Sequence, residues 1–578
     1  MSPLTLRERL DRRDRFAADP PQARPSPRWV RNGRVDRRPP HLQTDTRFPG
    51  ARRRAREWWA IPVAVSGGVL NAAAFPGLGW WPLILIGTPL LLAPLIAARF
   101  RIAVLSAVVG AAAFWGTHTY WLTVYLGAAP WLGLAGLQTV FMATAGVMMA
   151  FTWRSAEQTI PGAVARLAVI PITIGALWTV REMVTGAWPY GGFAWGDLAY
   201  SQADSPLGEL AAWTGLDGLT FLLAGISALT VQAIRDRRHL PRSLLALPAA
   251  VLAALVAVPA FPIEVIGTMR IGAAQGNSEA GLLARNQPGR ILQDHLAATT
   301  PLRGQDLDLL VWPENAADID PLRNRDVANI LDQLAAQVDA PVLVGTITAD
   351  GDRTFNSALL WEQGEGATAQ YDKKHPVPFA EYLPDRDFWY PLAPDLFSLV
   401  PRDLSIGARS NVLDIGDVPA GVAICFDIVD DALIREMVDG GAQLILAPTN
   451  NADFGRTDQS AQQLAIARMR AIESGRSVVN ASTVGVSAMI GPDGAVINQL
   501  TPFAPGAMIA EVPLSSTITP AMACATPLSW VIALLGVGGA ITLGHVRRMI
   551  TGGTSSGSQP RGPGSLRSDP HDDHAGPN

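Results

Sequence analysis

The sequence predicts a polytopic α-helical membrane domain of about eight spans that carries an extracytoplasmic, layered α/β domain between its seventh and eighth spans. Three observations predict it. The 578 residues are 48% hydrophobic, with a mean hydropathy of +0.19, too apolar for a chain that meets only water. Apolar runs of spanning length recur as far as residue 262 and once more near the C-terminus. Between them, residues 265–516 turn polar and alternate short β-rich runs with helical periodicity.

Residues 1–56 are rich in Arg and Pro with little apolar periodicity, which predicts a disordered basic cytoplasmic tail. The tail ends in Arg52-Arg53-Arg54-Ala55-Arg56, directly before Trp58-Trp59 and an apolar run to Pro76, the charge arrangement of a first span entering from the cytoplasm. Asn71-Ala72-Ala73-Ala74-Phe75 also reads as a signal-peptidase site, but the long preceding tail favours an uncleaved span. Further spans are predicted at about 81–98, 102–126, 130–152, 163–181, 207–233 and 243–262, completing a membrane domain over 57–264. The last span, about 527–546, lies within 517–548, and the Gly, Ser, Pro and Asp-rich residues 549–578 read as a second disordered cytoplasmic tail.

Charge in the links sets the orientation. Arg99 and Arg101, Arg154 and Arg166, then Arg235, Arg237, Arg238 and Arg242, and finally Arg547 and Arg548 all fall on one side, so both termini are expected in the cytoplasm of a multi-pass cell-membrane protein. The aromatic link 188–196 faces the other side, either as an interfacial belt or as the lining of a lipid entry site. Arg181 and Glu182, at the end of one span, read as interface groups or an ion pair.

Within 265–516, strands are predicted at 269–275, 307–312, 341–347, 356–361, 420–424, 443–447, 477–481, 486–490 and 507–512, with a short one running into Lys373. Helices fit 285–298, 323–337, 429–438 and 458–474. Residues 375–401 form a long Pro- and aromatic-rich stretch, suited to a lid over an acyl groove or to simple packing over the core.

Chemistry concentrates at three strand ends. Gly421 to Asp427 is an apolar strand ending in Cys425 at an elbow before a helical segment, where a helix N-terminus would favour thiolate. A lone cysteine is more often an inert buried hydrophobe. Two upstream segments change that balance: Leu309 to Asn315 ends in Glu314, and Tyr371 to Glu381 carries Lys373 before a Pro-rich loop. Singly they read as a solvated carboxylate and an exposed lysine; converging at one sheet edge they supply base, oxyanion stabiliser and nucleophile. Glu381, eight positions beyond Lys373, is placed to orient that ammonium without being the base.

The order Trp-Pro-Glu at 312–314, Tyr-x-Lys-x-His at 371–375 and a strand ending in Cys425 resembles the carbon–nitrogen hydrolase (nitrilase) superfamily. With the spans, the chain resembles the membrane-bound apolipoprotein N-acyltransferase family over about 58–548, including residues 274–277, 377–381 and 467–473. That resemblance implies an α-β-β-α sandwich and a catalytic triad of Glu314, Lys373 and Cys425, with Glu381 and Asp427 supporting. It also implies transfer of a fatty acyl chain from a phospholipid donor, through a cysteine thioester, to the α-amino group of a diacylglyceryl-lipoprotein acceptor. Ala380, Pro376, Asp427 and Asp453 depart from the family pattern and bear on the pocket's shape.

Two cysteines, Cys425 and Cys524, give no disulfide framework, and a bridge between them would consume the nucleophile. No Cys/His cluster has zinc spacing, no Gly-rich phosphate loop stands out, and the basic residues lack interleaved aromatics. Cofactor, metal and nucleic-acid chemistry are therefore not expected. Two rivals remain: a membrane-tethered amidase or nitrile hydrolase using water as acceptor, and a noncatalytic membrane scaffold or transporter.

Overall fold

The computed structural model describes residues 57–278, 280, 281, 287–400 and 402–552; the two expected tails, apart from 549–552, lie outside the described residues. All eight predicted apolar runs are helical. Helices α1 (Ala60–Ala74), α2 (Ile84–Ala97), α3 (Phe100–His118), α4 (Ala128–Thr159), α5 (Ala163–Ala187), α6 (Leu210–Asp236) and α7 (Leu247–Val256) precede the α/β domain. Among the described residues, five helices are long and apolar enough to cross a membrane: α3, α4, α5, α6 and the C-terminal Pro520–Thr551. The other three runs form helices of 10–17 residues, shorter than the roughly 20 residues a perpendicular crossing needs. The run expected at 102–126 breaks after His118 into a short turn, Leu122–Leu126, and residues 549–552, expected in the tail, continue the last helix.

Small residues bring α1, α2 and α3 together. A Cβ on Gly68 would fall 2.8 Å from the Phe114 nitrogen, so only glycine permits this backbone approach. Arg181 and Glu182 pair at 2.6 Å inside the bundle, with Trp178 and Thr220 also donating to the carboxylate, rather than sitting at an interface.

The α/β domain runs β1 (Gly267–Gln275), α8 (Arg290–Thr299), β2 (Leu309–Val311), α9 (Arg325–Val338), β3 (Val342–Asp350), β4 (Arg353–Glu362), β5 (Gly366–Asp372), β6 (Val412–Ile415), β7 (Val418–Val422), α10 (Asp431–Asp439), β8 (Leu444–Thr449), α11 (Gln459–Ser474), β9 (Ser477–Ser482), β10 (Ala488–Ile490), β11 (Val496–Gln499) and β12 (Gly506–Leu514). Helix α12 (Pro520–Thr551), with a π-helical segment at Leu534–Gly538, closes the chain. Two six-stranded sheets form, in the orders β12-β1-β2-β3-β4-β5 and β11-β10-β9-β8-β7-β6. Each has a parallel centre, β1-β2-β3 and β7-β8-β9, flanked by antiparallel neighbours. Ile271, Val311 and Leu343 of one sheet meet Val422, Leu446 and Val479 of the other in one buried layer. Helices α8 and α9 cover the outer face of the first sheet. The fold is thus the α-β-β-α sandwich expected, with α10 and α11 as the fourth layer.

Within that layer α11 is buried along nearly its whole length, while α10 keeps Glu436 and Asp439 exposed. Ile466 and Met469 of α11 and Phe426 of the turn before α10 join one continuous core with Trp115, Trp195 and Leu216 of the membrane helices and links. Polar contacts register the two parts: Trp121 and Trp195 both donate their indole N–H to the Gln462 carbonyl oxygen, at 3.0 and 2.7 Å. Arg470 pairs with Glu473 at 2.7 Å and Asp431 at 2.6 Å and donates to the Tyr200 hydroxyl, while the Leu216 amide donates to Glu473.

Candidate active site

Glu314 lies just beyond β2, where the chain passes over β3. A Cβ on Gly345 would come within 2.7 Å of both the Glu314 Cα and the Asn315 nitrogen, so glycine is what lets this strand end cross there. Lys373 follows β5 directly, and its amide donates to Asn356 of β4 at 2.8 Å. Cys425 follows β7 with φ +52°, and Asn315 and Phe379 also carry positive φ, so backbone strain collects around one spot.

The side chains converge there. Lys373 Nζ lies 3.1 Å from Glu314 Oε1 and 2.8 Å from Glu381 Oε2; Glu314 and Lys373 are buried and Glu381 is partly so. Asn356 Nδ2 donates to both carboxylates, at 2.6 Å to Glu314 and 2.7 Å to Glu381, and the Val377 amide also donates to Glu381. Asp427 holds the cysteine elbow: it accepts from the Ile424 amide at 3.2 Å, the Tyr371 hydroxyl at 2.8 Å and the His375 amide at 2.9 Å. The structure therefore brings Glu314, Lys373, Cys425, Glu381 and Asp427 into one neighbourhood. Sequence reasoning missed Asn356, and also Thr449 and Gln463, where the Gln463 amide donates to the Thr449 hydroxyl at 2.7 Å and to the Cys425 carbonyl at 3.4 Å; the signal available was a polar residue inside an otherwise apolar buried strand or helix face.

The electrostatics correct one expectation. Burial pushes the Cys425 thiol up to about 12, and the Glu314 carboxylate adds to this against the pull of Lys373, so the elbow does not favour thiolate at rest. A 3-10 turn, Cys425–Val429, rather than an α-helix follows the cysteine, which weakens the dipole argument. The thiol consequently needs a base. Burial also raises Glu314 above the ordinary carboxylate range, opposed by Lys373 and the Asn356 hydrogen bond. For Lys373 burial acts downward, but Glu314 and Glu381 outweigh it and hold the ammonium charged. Burial lifts Asp427 to about 6.

A cavity of about 650 Å³ opens onto these groups. Leu134, Leu137, Trp188 and Phe193 wall it on the side of the membrane helices, and Phe379, Trp389 and Phe397 of the 375–401 stretch wall it on the other. This stretch folds into short turns at Arg386–Trp389, Tyr390–Leu392 and Pro394–Phe397. Tyr190 ties it to the 188–196 link by donating to Asp385 at 2.7 Å and accepting from the Trp389 indole at 3.1 Å. Asp453 lines the cavity beside Phe454. Cys425 and Cys524 are both free thiols.

The family model described as apolipoprotein N-acyltransferase N-terminal domain matches residues 67–229, and the one described as carbon-nitrogen hydrolase matches residues 270–519. The apolipoprotein N-acyltransferase of Mycolicibacterium smegmatis is 30% identical over 521 residues, covering 82% of this chain and 84% of that protein. Its counterpart in Pseudomonas putida is 28% identical over 517 residues, covering 85% and 98%. Among solved structures, an amidase from Nesterenkonia sp. is 19% identical, covers 44% of this chain and 94% of its own, and superposes with a TM-score of 0.34.

Proposed function

Because the chain belongs to the apolipoprotein N-acyltransferase family, and so acts in lipoprotein N-acylation, we propose that it takes a fatty acyl chain from a membrane phospholipid, holds it on Cys425 and passes it to the α-amino group of a lipoprotein's diacylglyceryl-cysteine. The observation that carries this reading is the position of Cys425, with Glu314 and Lys373, at one face of an apolar cavity walled by both the α/β domain and the membrane helices.

In the first half-reaction Glu314 takes the thiol proton as the sulfur attacks the ester carbonyl. Lys373, held charged, stabilises the tetrahedral oxyanion. The carbon–oxygen bond breaks, the proton passes to the glycerol oxygen, and lysophospholipid leaves a thioester. In the second, the amine attacks the thioester, the carbon–nitrogen bond forms, and the proton released by nitrogen returns through Glu314 to the departing sulfur. Glu381 and Asn356 keep the ammonium and Glu314 in register.

On this reading residues 57–264 and 517–548 are the membrane part, 265–516 is the extracytoplasmic catalytic domain, and both termini are cytoplasmic. Support comes from the Arg-bearing ends of the helices, where Arg166 meets Asp236 at 3.0 Å and Arg235 meets Glu157. A reporter inserted beside Asp352 that reads as cytoplasmic overturns this placement.

The test of function is the intact mass of the protein after incubation with phospholipid alone. An acyl adduct on Cys425, lost on adding a diacylglyceryl-cysteine peptide, is expected. Release of free fatty acid without transfer supports the water-using hydrolase instead, and transfer by Cys425→Ala removes the mechanism altogether.

A further inference from the structure

The cavity that holds Cys425 has one wall graded by side-chain size. Ala129, Gly133 and Leu137 of α4 line it, spaced four residues apart and so stacked on one helix face, and all three are exposed. A Cβ on Gly133 would meet nothing within 4 Å, so a side chain placed there enters open space and not a neighbouring helix. On α4 the lining of the cavity ends at Gln138. Phe141, the next residue of that face after Leu137, meets Trp188 edge-on, with ring centroids 5.7 Å apart and planes at 87°, and Trp188 itself lines the cavity. Small residues come first along the wall, leucine next, and a closed aromatic pair last.

This face runs in the direction a lipid tail runs. Just before α4, Trp121 and Tyr125 pack on Phe454 of the α/β domain, with ring centroids 5.0 and 6.1 Å apart. Near the other end of α4, Glu157 pairs with Arg235 among the Arg-bearing helix ends. From Ala129 to Phe141 the face therefore leads away from the α/β domain into the bilayer, over about 18 Å at a rise of about 1.5 Å per residue. A donor's acyl chain likewise runs from its ester, in the headgroup region, toward the hydrocarbon centre. We propose that this face of α4 seats the acyl chain held on Cys425, and that Gly133 and the Phe141–Trp188 pair set which chain lengths the enzyme takes. This rests on the acyl-transfer function proposed above. Lipid surrounds a hydrocarbon tail as favourably as an apolar protein wall does, so the wall selects by exclusion: a tail is refused where it would collide with a side chain.

Intact mass reads the selected chain directly, because each acyl group adds its own mass to Cys425. The full-length wild type, Gly133→Leu, Phe141→Ala and Gly136→Leu, each checked for folding by thermal melting, are incubated in detergent micelles with an equimolar set of phosphatidylethanolamines, dilauroyl through diarachidoyl, without acceptor. Gly136 is the control: a Cβ on it also meets nothing within 4 Å, but it lies off the cavity wall. Gly133→Leu should shift the adducts toward shorter chains, lowering the stearoyl-to-lauroyl ratio about ten-fold, the order of an overpacked contact. Phe141→Ala should shift them toward longer chains, and Gly136→Leu should match wild type. The acyl-enzymes are then offered diacylglyceryl-cysteine peptides with short or long tails, and no variant should alter the choice among these. If Gly133→Leu fails to fold, Phe141→Ala, which only removes volume, carries the comparison. A wild-type distribution of adducts in folded Gly133→Leu or in Phe141→Ala, an equal shift in Gly136→Leu, or altered choice of acceptor tails with donor choice intact overturns the assignment while leaving the transfer function standing. A wild-type enzyme that takes up no acyl chain overturns the function and the assignment with it.

Discussion

Replacing Asn356 by leucine, which has a similar shape and no amide, should move the acid limb of the pH–rate profile upward. In the structure Asn356 Nδ2 donates to Glu314 at 2.6 Å and to Glu381 at 2.7 Å, in a site where burial already opposes ionisation of Glu314. A hydrogen bond to a charged group is worth about 1.5–3 kcal/mol, and about 1.4 kcal/mol corresponds to one pH unit. Lys373, still 3.1 Å from Glu314, compensates for part of the loss, so the expected shift is about one unit rather than two. Glu314 works as a base only when ionised; raising its pKa lowers the rate below the new limb and spares the plateau above it. The assay is single-turnover acylation of Cys425 by phospholipid between pH 5 and 9, followed by intact mass. On the acid limb the variant should be about ten-fold slower, converging on wild type at high pH. A uniform loss at every pH, with the limb unmoved, would refute the electrostatic role and leave Asn356 only a packing residue.

Glu381→Ala should slow acylation about 10- to 100-fold, the cost of one charge-assisted hydrogen bond to Lys373, and less than Glu314→Gln, which removes the base and should cost about 100- to 10,000-fold. Rates for the two variants that are equal, or an unaffected Glu381→Ala, would contradict a purely orienting Glu381. Asp427 titrates near 6 when folded, against about 3.9 in an unfolded chain, so between these values the folded state keeps a proton that the unfolded state has released. Stability is therefore lost as pH rises from about 4 to about 6, and melting temperatures of wild type and Asp427→Asn should diverge in the variant's favour across that window; a constant difference argues against burial as the cause. Arg470→Leu leaves Glu473 buried without its partner and should destabilise the protein by about 3–5 kcal/mol, read from denaturant midpoints in detergent micelles. An unchanged midpoint would mean that the other groups around Glu473 suffice.

The parts of the fold that could be read from sequence were those with strong periodicity and hard punctuation. Central strands such as β8 and β9 are apolar runs buried on both faces, and Glu314 and Cys425 stand just beyond such runs, whereas Lys373 follows β5, a half-exposed edge strand. Edge strands were harder. Val412–Ile415 and Val496–Gln499 are four residues long; β11 has no buried residue, and β6 buries only Leu413 and Ile415, too short a pattern to mark a strand. Hydropathy found every helix near the membrane but could not set its length, because the turns after His118 and at Ala246 interrupt the helices without a break in apolar composition. Gln459 and Gln463 sit four residues apart with Arg470 one heptad beyond Gln463, a polar stripe on the buried side of α11. Such a stripe ordinarily marks the solvent face; here Gln463 turns inward to the Thr449 hydroxyl and the Cys425 carbonyl, and Arg470 to the Ile428 and Val429 carbonyls. Thiolate preference at Cys425 failed for a related reason: sequence shows an elbow and not how much water it excludes.

The shared grip on Gln462 ties the history of the two halves of the chain together. One side-chain oxygen receives indoles from two separate stretches, Trp121 and Trp195, so a replacement of Gln462 that removes this oxygen strands two buried donors at once, at about 1–3 kcal/mol each. Drift on either side is answerable to the other: a lineage that altered α11 first would pass through poorly joined intermediates, and one that altered the tryptophans first would meet the same obstacle from the opposite direction. Trp121 and Gln462, 341 positions apart in sequence, are in this respect physically one unit. A catalytic layer of this kind cannot be lent to a new membrane anchor by simple recombination, since the anchor already supplies part of its inner face.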